Sequence, residues 1–164
     1  MARLLKIETV LKHHRQFVPI EEVPKLSDDT APIMGCLVIK YGDRILLGRQ
    51  HIEAVDVIWE GVVRAVADAV EKRFGEFPFP GDNHDFVLQV EKTFTGIRIE
   101  GDPRQQIEVP EEVFFTLFLH AATSTFQSFI RLNPKGFLRY QKVLATLEKM
   151  RDRFAAETAG GDAT

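Results

Sequence analysis

The chain has 164 residues, 45% of them hydrophobic, and a net charge of −3. That length suits one domain spanning 1–164, able to bury about 70% of its unfolded surface without a metal or disulfide. One cysteine, Cys36, excludes an intrachain disulfide and fits a reducing compartment, and the acidic balance supplies no long-range field that would attract polyanions.

At the start, Arg3, Lys6, Glu8 and Lys12 interrupt any secretory h-region. No apolar stretch approaches the ~20 residues that span a bilayer. A cytoplasmic location with no membrane contact is the expectation. Residues 1–33 carry the Pro-punctuated run "VPIEEVPKLSDDTAP" and read as a lead-in without a definite element. Cys36 follows in the apolar run "MGCLVIKY", a setting without the positive charge and access that activate a thiol.

"GCLVIKYGDRILLGRQ" places two β-rich runs around Gly42-Asp43, which predicts a hairpin at about 35–41 and 44–50. A helix over about 52–73 follows from Ile52, Val55, Trp59, Val62, Val63, Val66 and Val70, spaced at i, i+3, i+4 and i+7, with Trp59 mid-stripe. Glu60 with Arg64 and Asp68 with Lys72 form i, i+4 pairs beside it, and Glu53, Asp56 and Glu60 make an acidic patch.

The stretch "FPFPGDNHDF", residues 77–86, holds the residue types of a site. Asp82, His84 and Asp85 could supply metal ligands or a carboxylate-oriented general base. Neighbours within one turn rarely converge on one atom, and no HExxH, HxH or CxxC pattern supplies partners; His13, His14, His51 and His120 lie in other elements. The alternative is a rigid turn, with prolines and Gly81 setting the backbone and Phe77, Phe79 and Phe86 anchoring it.

"FVLQVEK", "TGIRIEG" and "QQIEVP" then read as three antiparallel strands, with "GDPR" (101–104) turning between the last two. Over 110–132, Phe114, Phe118, Ala122, Phe126 and Ile130, with Phe115, Leu119 and Phe129, keep a 3.6-residue period, and Pro110-Glu111-Glu112 is a helix start. "VFFTLFL" is apolar nearly all round, so this helix needs cover on more than one side. Burial between the sheet and the last helix supplies it; a homodimer seam along Phe114–Ile130 is the other explanation.

Asn133-Pro134 stops that helix and caps the next, about 134–155, whose buried face is Phe137, Tyr140, Val143, Leu144, Leu147, Met150 and Phe154. Residues 156–164 read as a frayed tail. Lys135, Arg139, Lys142, Lys149 and Arg153 fall within roughly an 80° stripe of that helix, a basic ridge that could bind an acidic partner. No aromatic interleaves with the ridge, which argues against nucleic acid.

The expected fold is α+β: an antiparallel sheet of about five strands (hairpin, helix, three-strand meander) packed by three helices. No P-loop, dinucleotide fingerprint or nucleophile elbow is present, and no cofactor is expected. The hairpin "GCLVIKYGDRILLG", the helix "VDVIWEGVV", "FPFPGDN", and "VPEEVFFTLFLHAA" running to "RLNP" cover about residues 32–134. In these the chain resembles small uncharacterised bacterial α+β proteins, some of them immunity or accessory proteins. The resemblance implies a bacterial protein that binds another protein without catalysis, and assigns no residue a role. A small metal-dependent or general-base enzyme built on residues 82–85 and a structural homodimer are the alternatives.

Overall fold

The computed structural model describes residues 4–26, 28, 32–81, 85–102 and 104–161. The fold is α+β, with three helices and two antiparallel sheets, one of five strands and one of four. Sheet A comprises β1 (Leu5–His13), β2 (Gln16–Pro19), β3 (Met34–Tyr41), β4 (Arg44–Leu47) and the short β5 (Glu53–Ala54), in the order β2-β1-β3-β4 with β5 also on β3. Helix α1 (Val55–Lys72) leads into sheet B, which runs β6 (Phe74–Pro78), β7 (Val87–Lys92), β8 (Ile97–Glu100) and β9 (Gln106–Val109) in sequence order. Helices α2 (Glu111–Leu132) and α3 (Phe137–Gly160) complete the chain.

The expected hairpin, meander and three helices are all present, and the chain adds strands that the sequence did not announce. The lead-in supplies β1, which sits between β2 and β3 and pairs with β3 from Leu5↔Tyr41 to Leu11↔Gly35. Its turn to β2 uses His14 and Arg15 at φ 46° and 67°. Side chains with a Cβ rarely occupy this left-handed region, so the usual Gly/Asn signature of a tight hairpin was missing. Likewise β6 begins just after Arg73, which closes α1 in the left-handed conformation where glycine is usual.

Sheet B is half buried. Leu88, Val90, Ile97, Ile99, Ile107 and Val109 face inward, with α1 packed on β6 and β7, and the alternate residues face out. Gly75 and Gly61 let α1 settle onto β6: a Cβ on Gly75 would lie 1.9 Å from the Ala65 carbonyl oxygen, and one on Gly61 would meet the Phe77 ring at 2.2 Å.

Helix α2 occupies the centre, packed on β1, α1 and α3, with Phe114, Phe115, Phe118, Phe126 and Phe129 all buried. This is the two-sided cover that its apolar circumference required. The expectation of no long apolar stretch needs correction, since α2 is long and apolar enough by composition to cross a membrane, at mean hydropathy 1.3 over 18 residues. Half of that window is buried inside the fold.

In α3, Tyr140, Leu147 and Met150 are buried as expected, whereas Phe137 is 45% exposed because the helix begins only at that residue, past a 3-10 turn over Pro134–Gly136. Asn133 does not cap α3. Its N–H bonds back to Phe129 O at 2.7 Å, closing α2, and its Nδ2 donates to the Tyr140 hydroxyl at 3.1 Å. The helix also continues to Gly160, so residues 156–160 are helical rather than frayed.

Candidate functional site

Of the candidates in the 77–86 stretch, Asp82 and His84 lie outside the described residues, and Asp85 is exposed. The flanks of the stretch are firmly built. Phe79 N–H donates to Phe86 O at 3.0 Å, and the two rings stack with centroids 4.8 Å apart. Both rings meet the edge of His51, at 5.5 and 5.4 Å.

His51 is 1% exposed. Gly48 N–H donates to its Nδ1 at 3.1 Å, so the ring proton sits on Nε2, which donates to Asp102 Oδ2 at 2.9 Å. An imidazole–carboxylate pair therefore does form, but with a histidine and an aspartate from two other loops. Both ring nitrogens are occupied, and the pair ties the end of β4 to the β8–β9 turn. Asp102 borders an open recess of about 490 Å³ lined also by Asp85, Phe86, Val87, Gln89, Glu100 and Arg104. Among the described residues, no group of three His, Cys, Asp or Glu side chains is placed to hold a metal ion. Cys36 is fully buried, and burial pushes its thiol up to about 11, which keeps it protonated and inert.

The basic ridge of α3 is not continuous. Arg139 turns inward to form a close ion pair with Asp56 and a 2.6 Å pair with Glu60. Its guanidinium lies 4.9 Å over the Tyr140 ring, and the Tyr140 hydroxyl donates to Asp56 Oδ2 at 2.8 Å. Burial, reinforced by the Asp56 carboxylate, pushes the Tyr140 phenol up to about 12. Burial also raises Glu60, against the opposing pull of Arg139. Asp56 and Glu60 of the expected acidic patch thus line the α1–α3 contact, whereas Glu53 lies in β5, outside helix α1. Arg153 pairs with Glu157 at 3.3 Å, while Lys142 and Lys149 are exposed on α3 and Lys135 is exposed on the 3-10 turn before it.

A different feature stands out at the β7–β8 turn. Phe94 is 100% exposed, at the tip of a turn held by many hydrogen bonds. Thr93 N–H donates to Gly96 O at 2.9 Å, while Thr93 Oγ1 accepts from the N–H groups of Gly96 and Thr95 at 3.1 and 3.3 Å. The Thr93 hydroxyl donates to Glu108 Oε1 at 2.7 Å, and the Thr95 hydroxyl makes a second, close bond to the same oxygen. These two donors, Thr95 first, hold the Glu108 carboxyl below its ordinary range, with Arg98 adding to the effect. Arg98 bridges Glu91 at 3.0 Å and Glu108 at 3.5 Å, and Lys92 bridges Glu111 at 2.9 Å and Glu157 at 3.4 Å. An aromatic side chain thus stands in water at the tip of a turn whose flanking strands carry both ion-pair clusters.

The sequence places a connection near Lys92 to Thr95 between these strands but gives it no role, because "KTFTG" carries no strong turn residue before Gly96. The threonine on each side of Phe94 was the available signal, since hydroxyls bond local backbone and stiffen turns.

Comparison with known proteins gives no match: no protein family fits the chain, and neither a curated protein nor a solved structure is significantly similar to it.

Proposed function

We propose that this chain is a protein-interaction module of the immunity or accessory type, which works by covering a partner's surface rather than by catalysis. The observation that carries this reading is Phe94, fully solvated on a turn whose backbone is already fixed. A rigid, solvated aromatic anchor on a turn of polar residues suits an interface hot spot, where a central side chain fills a pocket and the rim excludes water. Preorganisation of the turn removes the ordering entropy that a flexible loop would lose on binding. The phenylalanines of α2 are covered within the chain, so a homodimer seam would have to use exposed residues such as Val113 and Leu117.

The test is Phe94→Asp in the intact chain. Because the side chain touches nothing in the fold, unfolding free energy should stay within about 0.5 kcal/mol of the parent. Partner capture from the native cell should be lost. A partner retained equally by parent and variant, or turnover of a small molecule with no partner recovered, would sink the reading.

A further inference from the structure

Among the described residues, no helix covers the outer face of sheet B, because α1 packs on the inner side and Lys92 reaches the α2 and α3 ends from that same side. Antiparallel sheets commonly leave one face in water. What sets this face apart is its charge. The outward residues place Glu91 opposite Arg98 and Arg98 opposite Glu108, a row that is partly neutralised. In the next row Glu76 stands opposite Gln89, Gln89 opposite Glu100, and Glu100 opposite Gln106.

Alternation with glutamine keeps these carboxylates apart, avoiding the cross-strand repulsion of adjacent like charges. It leaves them unneutralised as well: among the described residues, neither Glu76 nor Glu100 makes an ion pair. Four glutamates against Arg98 leave three negative charges on the face, and Asp85 and Asp102 against Arg104 at its rim leave one more. That surplus exceeds the −3 of the whole chain, so the rest of the molecule is close to neutral. Phe74 and Val87, 44% and 39% exposed, flank the carboxylates on the same face, and Phe94 stands at its end.

We infer that this face is the docking surface for a protein with a basic, Lys/Arg-bearing surface, the carboxylates meeting its cations and Phe94 entering an apolar pocket beside them. The inference rests on the interaction reading above and names the chemistry of the partner. Charge complementarity carries the choice: the face repels nucleic-acid phosphates and anionic lipid, and two copies of it repel each other, whereas a cationic surface is steered onto it from a distance.

The experiment places the photocrosslinker p-benzoylphenylalanine at Gln89, at position 94 or at Leu138 in separate full-length chains, expressed in the native cell. The Gln89 chain is expected to cross-link one protein, which is then purified for direct binding. Glu76→Lys with Glu100→Lys should weaken its affinity by about tenfold or more. Glu148→Lys with Asp152→Lys on α3, an equal change in net charge, should leave it within about twofold. A parent complex that weakens as salt is raised supports the assignment. The assignment falls if the Gln89 chain cross-links nothing, lipid, nucleic acid or a second copy, or if both charge variants weaken binding alike. In those cases a protein cross-linked from position 94 or 138 leaves the interaction reading standing, and no protein from any of the three positions removes both.

Discussion

The indole N–H of Trp59, at the centre of α1, donates to Thr9 Oγ1 at 2.7 Å, and that hydroxyl lies 2.8 Å from Thr125 Oγ1. Thr9 accepts from Trp59 and shares a hydrogen bond with the Thr125 hydroxyl, so one hydroxyl joins β1, α1 and α2. Thr9→Val keeps the shape and strands the indole N–H in the core, so urea unfolding should report a loss of about 1–3 kcal/mol; Thr9→Ser should recover most of it. Tyr140 gives the second test at this scale. Its folded-state value of about 12 stands above the ordinary 10.0, so the native chain keeps a proton that the unfolded chain releases. The stability it contributes is therefore full below pH about 10 and falls as pH rises toward 12. An ultraviolet titration should show one tyrosinate forming near pH 12, absent in Tyr140→Phe, whose stability should depend less on alkaline pH.

At the scale of elements, α3 buries three of its residues, and its first turn joins the Tyr140 ring, packed on Phe126 and Phe129, to the polar cluster at Asp56. Asp56 is 6% exposed and takes both the Arg139 guanidinium and the Tyr140 hydroxyl. Arg139→Met would leave that carboxylate with one neutral donor. Loss of a fully buried partner costs about 3–5 kcal/mol, but the Arg139 side chain is 47% exposed, so water softens the loss to about 2 kcal/mol. Chemical denaturation should read that value, and Asp56→Asn with Arg139→Met should cost less than the two single changes added together, as expected of a coupled pair. The same pair explains why the basic ridge was misleading. Helical spacing placed Arg139 in line with Lys135, Lys142, Lys149 and Arg153, yet the line does not say which of them meets another helix, and Asp56 lies 83 residues away.

Across the whole molecule, the two sheets are joined where β4 meets the β8–β9 turn. The joint consists of His51 on Asp102, Asp102 N–H on Leu46 O at 3.2 Å and Arg44 on Gln106 O at 2.7 Å. His51→Ala removes the acceptor for Gly48 N–H and the donor to Asp102. Hydrogen exchange should then quicken at Gly48 and across the β8–β9 turn, with a loss of about 1–3 kcal/mol; unchanged exchange there would mean that the sheets are joined by other contacts. The α+β class, the hairpin about Gly42, the meander, the three helices and the burial of Trp59 and the α2 phenylalanines were all legible in the sequence. Each follows from local periodicity, which depends on backbone geometry alone. Strand β1 was not, because its turn uses His14 and Arg15 where glycine or asparagine would have announced it. Nor could spacing reveal that His51 would find Asp102, that Arg139 would turn inward, or that alternate glutamates on β6 to β9 would share one uncovered face. These features depend on which strand registers and helix faces come together, and burial of the apolar faces determines that only once the whole core assembles.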